Sequence, residues 1–161
     1  VKQKFIDAYM DVAERFAQLS SAKRLKVGAI IVKENRIISI GYNGMPSGWS
    51  NECEHIRLKE GVVGVTLSDI HPADYDIYCE LITKQEVMHA ETNAIAKVAQ
   101  SSESCKGAAL FCTHTPCIEC AKLIYQSGIS TIYYRNEYNA HKGSGLSFLN
   151  QCGLTVIHVT E

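Results

Sequence analysis

Two short stretches combine residue types that do metal chemistry. The first is His89-Ala90-Glu91. The second is Pro116-Cys117-Ile118-Glu119-Cys120, with residues 92–115 between them. Cys117 and Cys120 are three apart, so a helix puts both on one face. Two thiolates and the neutral imidazole of His89 balance the charge of a zinc ion and leave its fourth tetrahedral position to water. Zinc lowers the pKa of such a water toward neutrality, which makes hydroxide available near pH 7. Glu91 follows His89 by two residues, an offset that reaches the water without ligating the metal. A carboxylate there takes the water's proton and passes it on as a general acid. Ala90, between them, is placed among the substrate-contacting residues.

His-x-Glu followed by Pro-Cys-x-x-Cys resembles the signature of zinc-dependent deaminases. The implied reaction is attack of hydroxide on carbon 4 of cytosine, protonation of ring nitrogen 3 and loss of ammonia to give uracil. A lone Cys-x-x-Cys also serves as a redox pair or as half of a structural zinc site. Structural sites normally take four protein ligands. Here the third ligand comes with a glutamate instead of a fourth Cys or His, and a proline precedes the pair.

These residues need helices and strands to bring them together. Phe5, Tyr9, Val12, Phe16 and Leu19 recur at helical spacing and predict an amphipathic helix with that stripe in the core. Val27–Val32 and Arg36–Ile40 predict a hairpin around the polar turn Lys33-Glu34-Asn35. His89–Ala99 predicts a buried helix and 107–113 a strand. A helix over 116–126 has Pro116 near its start and Gly128 after its end. A strand over 130–134, a helix over 144–152 and a strand over 154–159 complete the chain. Residues 45–88, broken by Gly48, Gly61, Gly64 and Pro72, predict a long irregular insertion with a short helix in each half. The order α-β-β-insertion-α-β-α-β-α-β predicts one α/β domain over 1–161, a three-layer α/β/α sandwich with a mixed sheet of about five strands.

Composition narrows the context. Hydrophobic residues are 46% of the 161, enough for a packed core. No apolar run reaches the ~18 residues that span a bilayer. Val1–Met10 mixes Lys2, Lys4 and Asp7 with apolar residues, which is no secretory signal and predicts a cytoplasmic protein. Seven cysteines without such a signal argue against a disulfide scaffold. The net charge of −1 disfavours a long nucleic-acid partner.

The resemblance sharpens beyond the zinc motifs. VGAIIV (27–32), GYNGMPSG (41–48), HAETNAI (89–95), TPCIECAKLI (115–124) and QSGI (126–129) resemble deoxycytidylate (dCMP) deaminases of the cytidine deaminase-like superfamily. The resemblance implies a five-stranded mixed sheet between helices and hydrolysis of dCMP to dUMP for thymidylate synthesis. It further implies a homohexamer, activated by dCTP with magnesium and inhibited by dTTP. By the same resemblance Asn43 holds the deoxyribose hydroxyl, a role its donor-and-acceptor amide suits. Its alternative is an Asn in a left-handed turn. Arg24, with Lys26 a weaker candidate, is implied to touch the phosphate. Tyr138 is implied to close over the substrate. Gly41, Tyr42 and Gly44 are candidates for the effector site, glycine letting backbone N–H groups approach phosphate.

Some relatives carry a second, structural zinc in the insertion. Cys53, His55, His71 and Cys79, with Glu86 nearby, supply the types but no tight Cys-x-x-Cys spacing, and Ser20-Ser21-Ala22 lacks one expected cysteine. Cys105, Cys112 and Cys152 are expected to pack. Two other functions stay open: a cytosine deaminase acting on nucleosides or nucleic acid, and an idle sensor of deoxynucleoside triphosphates.

Overall fold

The computed structural model describes residues 1–140 and 143–160. Helix α1 spans Gln3–Ala17, and strands β1 (Gly28–Lys33) and β2 (Arg36–Tyr42) form the predicted hairpin. Its turn residues Glu34 and Asn35 have φ of 51° and 59°. Two consecutive left-handed residues match the twist of the strands they join. The insertion carries β3 (Glu54–Leu58), the short helix α2 (Tyr75–Tyr78) and β4 (Cys79–Thr83). Beyond it run α3 (Ala90–Ala99), β5 (Ala109–His114), α4 (Ile118–Gln126), β6 (Thr131–Asn136), α5 (Leu146–Gln151) and β7 (Thr155–His158).

Five strands make one mixed sheet in the order β2-β1-β5-β6-β7. β1 lies antiparallel to both β2 and β5, while β5, β6 and β7 are parallel. Side chains alternate across it, as the two-residue period of a strand requires. Ala29, Ile31, Leu110, Cys112 and Ile132 join residues of α3, α4 and α5 in one core. Ile30, Val32, Phe111 and Tyr133 join α1 on the other face. Phe111 and Tyr133 stack there with ring centroids 4.4 Å apart. The predicted α/β/α layering and five-stranded mixed sheet are both observed. Gly128 and Gly153, at φ of 83° and 80°, follow the ends of α4 and α5.

Two expectations need correction. The buried stripe of α1 is Ile6, Met10, Ala13 and Ala17, not Phe5 through Leu19. Phe5 and Leu19 are exposed, and Tyr9, Val12 and Phe16 lie at the margin. The reason is close approach: a Cβ on Gly28 would collide with the Ala13 carbonyl oxygen and lie 2.7 Å from the Ala17 nitrogen. Small residues must face the strand at Ala13 and Ala17, Ile6 and Met10 fill the rest of the buried stripe, and Phe5 and Leu19 are turned out to solvent. The insertion is also more regular than predicted. β3 and β4 pair antiparallel from Glu54↔Thr83 to Leu58↔Cys79. Its short helical turns all fall within 67–78.

Candidate active site

Two helix N-termini converge on one point. His89 precedes the first residue of α3, and Cys117 precedes the first residue of α4, each in extended backbone. Cys120 lies one turn into α4. The His89 Nδ1 is 3.7 Å from Cys117 Sγ and 3.3 Å from Cys120 Sγ. All three donor atoms lie within 4.8 Å of one another. Zinc–sulfur bonds of ~2.3 Å and a zinc–nitrogen bond of ~2.0 Å at tetrahedral angles put sulfur and nitrogen about 3.5 Å apart. The donor set and its spacing therefore fit a zinc ion. Among the described residues, no other group of His, Cys, Asp and Glu side chains gathers this way.

The electrostatics suit metal binding. The partial positive charge of the helix N-termini favours thiolates. A bond from the Cys120 thiol brings Cys117 down to about 3, against the cost of burial, with a further contribution from His89. A side-chain bond from Cys117 in turn pushes Cys120 up, with burial and the Glu91 charge adding to it. Glu91 is buried beside them, 4% exposed. Burial pushes its carboxyl pKa up, against the lowering effect of its own backbone N–H and of His89. Cys112, deeply buried in β5, is itself pushed up by burial and by Glu91. It packs as expected, with Glu91 as a neighbour.

Packing aims α3 at this point. A Cβ on Gly41 would collide with the Ala90 carbonyl oxygen and sit 2.7 Å from the Ala94 nitrogen. Ser39 Oγ donates to the Ala94 carbonyl at 2.7 Å, and Asn93 Nδ2 donates to the Tyr42 carbonyl at 2.8 Å. Gly44 and Met88 exchange backbone hydrogen bonds of 3.1 and 2.8 Å, which holds the residue before His89. Gly41 lies buried under α3, and the Gly44 N–H donates to the Met88 carbonyl. Gly41→Ala is expected to displace α3 and cost ~1–3 kcal/mol or more of stability. Thermal unfolding with zinc content checks it; a variant with wild-type Tm and full zinc would show that the helix yields freely.

A cavity of about 90 Å³ opens above the cluster. His89, Ala90, Glu91, Asn43, Arg24 and Tyr138 all line it, with Glu54, Thr83, His114 and Thr115. A wider vestibule of about 480 Å³ shares Arg24, Thr83, His89, Cys117 and Tyr138 with it. Lys26 and Tyr42 line neither.

Asn43 is not in the left-handed region. Its Oδ1 accepts the Val27 N–H at 2.8 Å and its Nδ2 donates to the Leu25 carbonyl at 2.8 Å. An amide has four hydrogen-bonding positions, so two remain. Tyr138 is half-buried, its backbone N–H donating to Thr115 Oγ1 at 2.9 Å. Arg24 stands exposed at the mouth, its Nη1 3.2 Å from Thr83 Oγ1. Burial lowers the pKa of His114 and favours a neutral ring.

Glu54, Thr83 and His114 were missed in the sequence. Glu54 and Thr83 lie in the insertion, which has no motif to mark them. His114 stands alone in a strand. Among the described residues the insertion gathers no second cluster of metal-ligating side chains: Cys53 is buried with Ala22 and Val87, and His71 caps a turn by accepting the Ala73 N–H. Neither is gathered with His55, Cys79 or Glu86.

Residues 3–136 match the cytidine and deoxycytidylate deaminase zinc-binding region. The chain belongs to this deaminase family. Deoxycytidylate deaminase of enterobacteria phage T4 is 32% identical over 171 residues, covering 94% of this chain and 88% of the phage protein. The human deoxycytidylate deaminase is 37% identical over 131 residues, 80% of this chain and 63% of the human protein. The crystal structure of dCMP deaminase from cyanophage S-TIM5, in complex with dCMP and dUMP, is similar with a TM-score of 0.77. The two are 41% identical, with 99% of each chain covered. This deaminase brings its His89–Cys117–Cys120 cluster together from two separate stretches of the sequence. Among its described residues no helix is long and apolar enough to cross a membrane.

Proposed function

We propose that this enzyme hydrolyses dCMP to dUMP and ammonia. The observation that carries this is the His89–Cys117–Cys120 cluster, with Glu91 buried beside it on the wall of one cavity. The likeness to a relative crystallised with dCMP and dUMP supports the choice of nucleotide.

His89 Nδ1, Cys117 Sγ and Cys120 Sγ would hold a zinc ion, which would supply an activated water. Glu91 takes a proton from the attacking water and gives it to ring nitrogen 3. It then takes the proton of the hydroxyl now on carbon 4 and delivers it to the amine, which leaves as ammonia while the carbon–oxygen bond becomes the carbonyl of uracil. A carboxyl whose pKa is raised by burial holds a proton long enough to deliver it near neutral pH. Ala90 packs against the base. Asn43 uses its remaining amide positions on the deoxyribose hydroxyl. Arg24 meets the 5′-phosphate at the mouth, and Tyr138 closes the cavity beside it. In this reading residues 1–161 are one domain that assembles as a homohexamer, activated by dCTP with magnesium and inhibited by dTTP.

The test is zinc content and ammonia release from dCMP on one purified sample, alone, with dCTP and magnesium, and with dTTP. Zinc near one per chain and release of one ammonia per dUMP are expected, with dCTP raising and dTTP lowering the rate. Bound zinc without ammonia in any arm would overturn the dCMP assignment. Equal turnover of deoxycytidine or of a cytosine oligonucleotide would move the assignment to a nucleoside or nucleic-acid deaminase.

A further inference from the structure

The insertion reaches the cavity through the open end of its two-stranded ladder. Glu54 begins β3, Thr83 ends β4, and the two are directly opposed. Both turn toward the same short loop. Glu54 Oε1 accepts the backbone N–H groups of Lys23 at 2.8 Å and Arg24 at 3.0 Å. Thr83 Oγ1 accepts from Arg24 Nη1 at 3.2 Å. One strand end thus fixes the backbone of Arg24 and the other fixes its guanidinium. Glu54, Thr83 and Arg24 all line the cavity that contains Glu91.

The chemistry of this arrangement is specific. A carboxylate that accepts two adjacent amide N–H groups forms charge-assisted bonds and sets the loop's path. A long arginine side chain otherwise loses rotamer freedom on meeting an anion. A hydroxyl already bonded to Nη1 lowers that cost by holding the fork in place before the ligand arrives. The two amide bonds also offset the Glu54 charge, which would otherwise repel an anionic group at the mouth.

We infer that Glu54 and Thr83 are positioning residues that hold Arg24 toward the substrate's 5′-phosphate, so that the insertion sets the preference for a nucleotide over a nucleoside. This rests on the dCMP reading above. Neither residue touches the reacting atoms. Their effect is expected in KM for the phosphorylated substrate, not in kcat.

The experiment compares Glu54→Ala, Glu54→Gln, Thr83→Val and Arg24→Ala on dCMP and on deoxycytidine. Loss of a hydrogen bond to a charged group corresponds to about tenfold. Glu54→Ala is expected to raise KM for dCMP by about tenfold with kcat little changed, and to cut the preference for dCMP over deoxycytidine by a similar factor. Glu54→Gln retains an acceptor oxygen and recovers most of the loss. Thr83→Val, which keeps the shape of the side chain, raises the same KM several-fold. In the Arg24→Ala background, Glu54→Ala adds little, because its effect runs through the arginine. Equal loss of kcat/KM on both substrates, or full additivity with Arg24→Ala, would overturn the inference. A wild-type enzyme with no preference for dCMP would instead strike at the substrate reading itself, before any variant is compared.

Discussion

Glu91→Gln keeps its zinc and loses turnover by about 10²–10⁴-fold, the usual worth of a positioned proton-transfer group. The side chain is 4% exposed, so no bulk water replaces its function directly. An amide has nearly the same shape and still hydrogen-bonds in the same place. It cannot take a proton from water and return it to ring nitrogen 3. The packing of α3 is untouched by the change, since Gly41 and Ser39 meet the backbone at Ala90 and Ala94. The variant should therefore fold, bind dCMP and hold metal. Metal content and single-turnover ammonia release on one sample separate these outcomes. Near-normal turnover at full zinc content would take the proton relay away from Glu91.

Cys117→Ala loses both metal and turnover, falling below ~1% of wild type because no activated water remains. Among the described residues, Cys117 supplies one of the three donor atoms gathered within 4.8 Å of one another. Without it, His89 Nδ1 and Cys120 Sγ remain at 3.3 Å, a pair too few to retain zinc against a mild chelator. Metal held only by the folded site raises its stability, so wild type should gain Tm on zinc addition and the variant should not. Full zinc content in Cys117→Ala would place the metal elsewhere. The contrast with Glu91→Gln matters most: one variant loses metal and chemistry together, the other chemistry alone.

Gly41 and Gly28 show what a sequence pattern leaves out. Gly41 lets a strand and α3 approach until any Cβ would collide with Ala90. The stripe in α1 failed for a related reason. Periodicity selects the large apolar residues, whereas contact with Gly28 demands the small ones at Ala13 and Ala17.

By itself the sequence determined the chemistry and the layering. His89, Glu91, Cys117 and Cys120 carry their meaning in type and local spacing, because each pair lies at one helix start and needs only that helix to be oriented. Alternating and 3.6-residue patterns likewise report which face of each strand or helix is apolar, and so the α/β/α order was legible. Only the tertiary structure decided how the mouth of the site is built. Glu54 meets Lys23 and Arg24 across 31 and 30 residues, and Thr83 meets Arg24 across 59. Such contacts depend on the pairing of β3 with β4 and on where that ladder ends, and no local pattern in a chain encodes the meeting of residues that far apart.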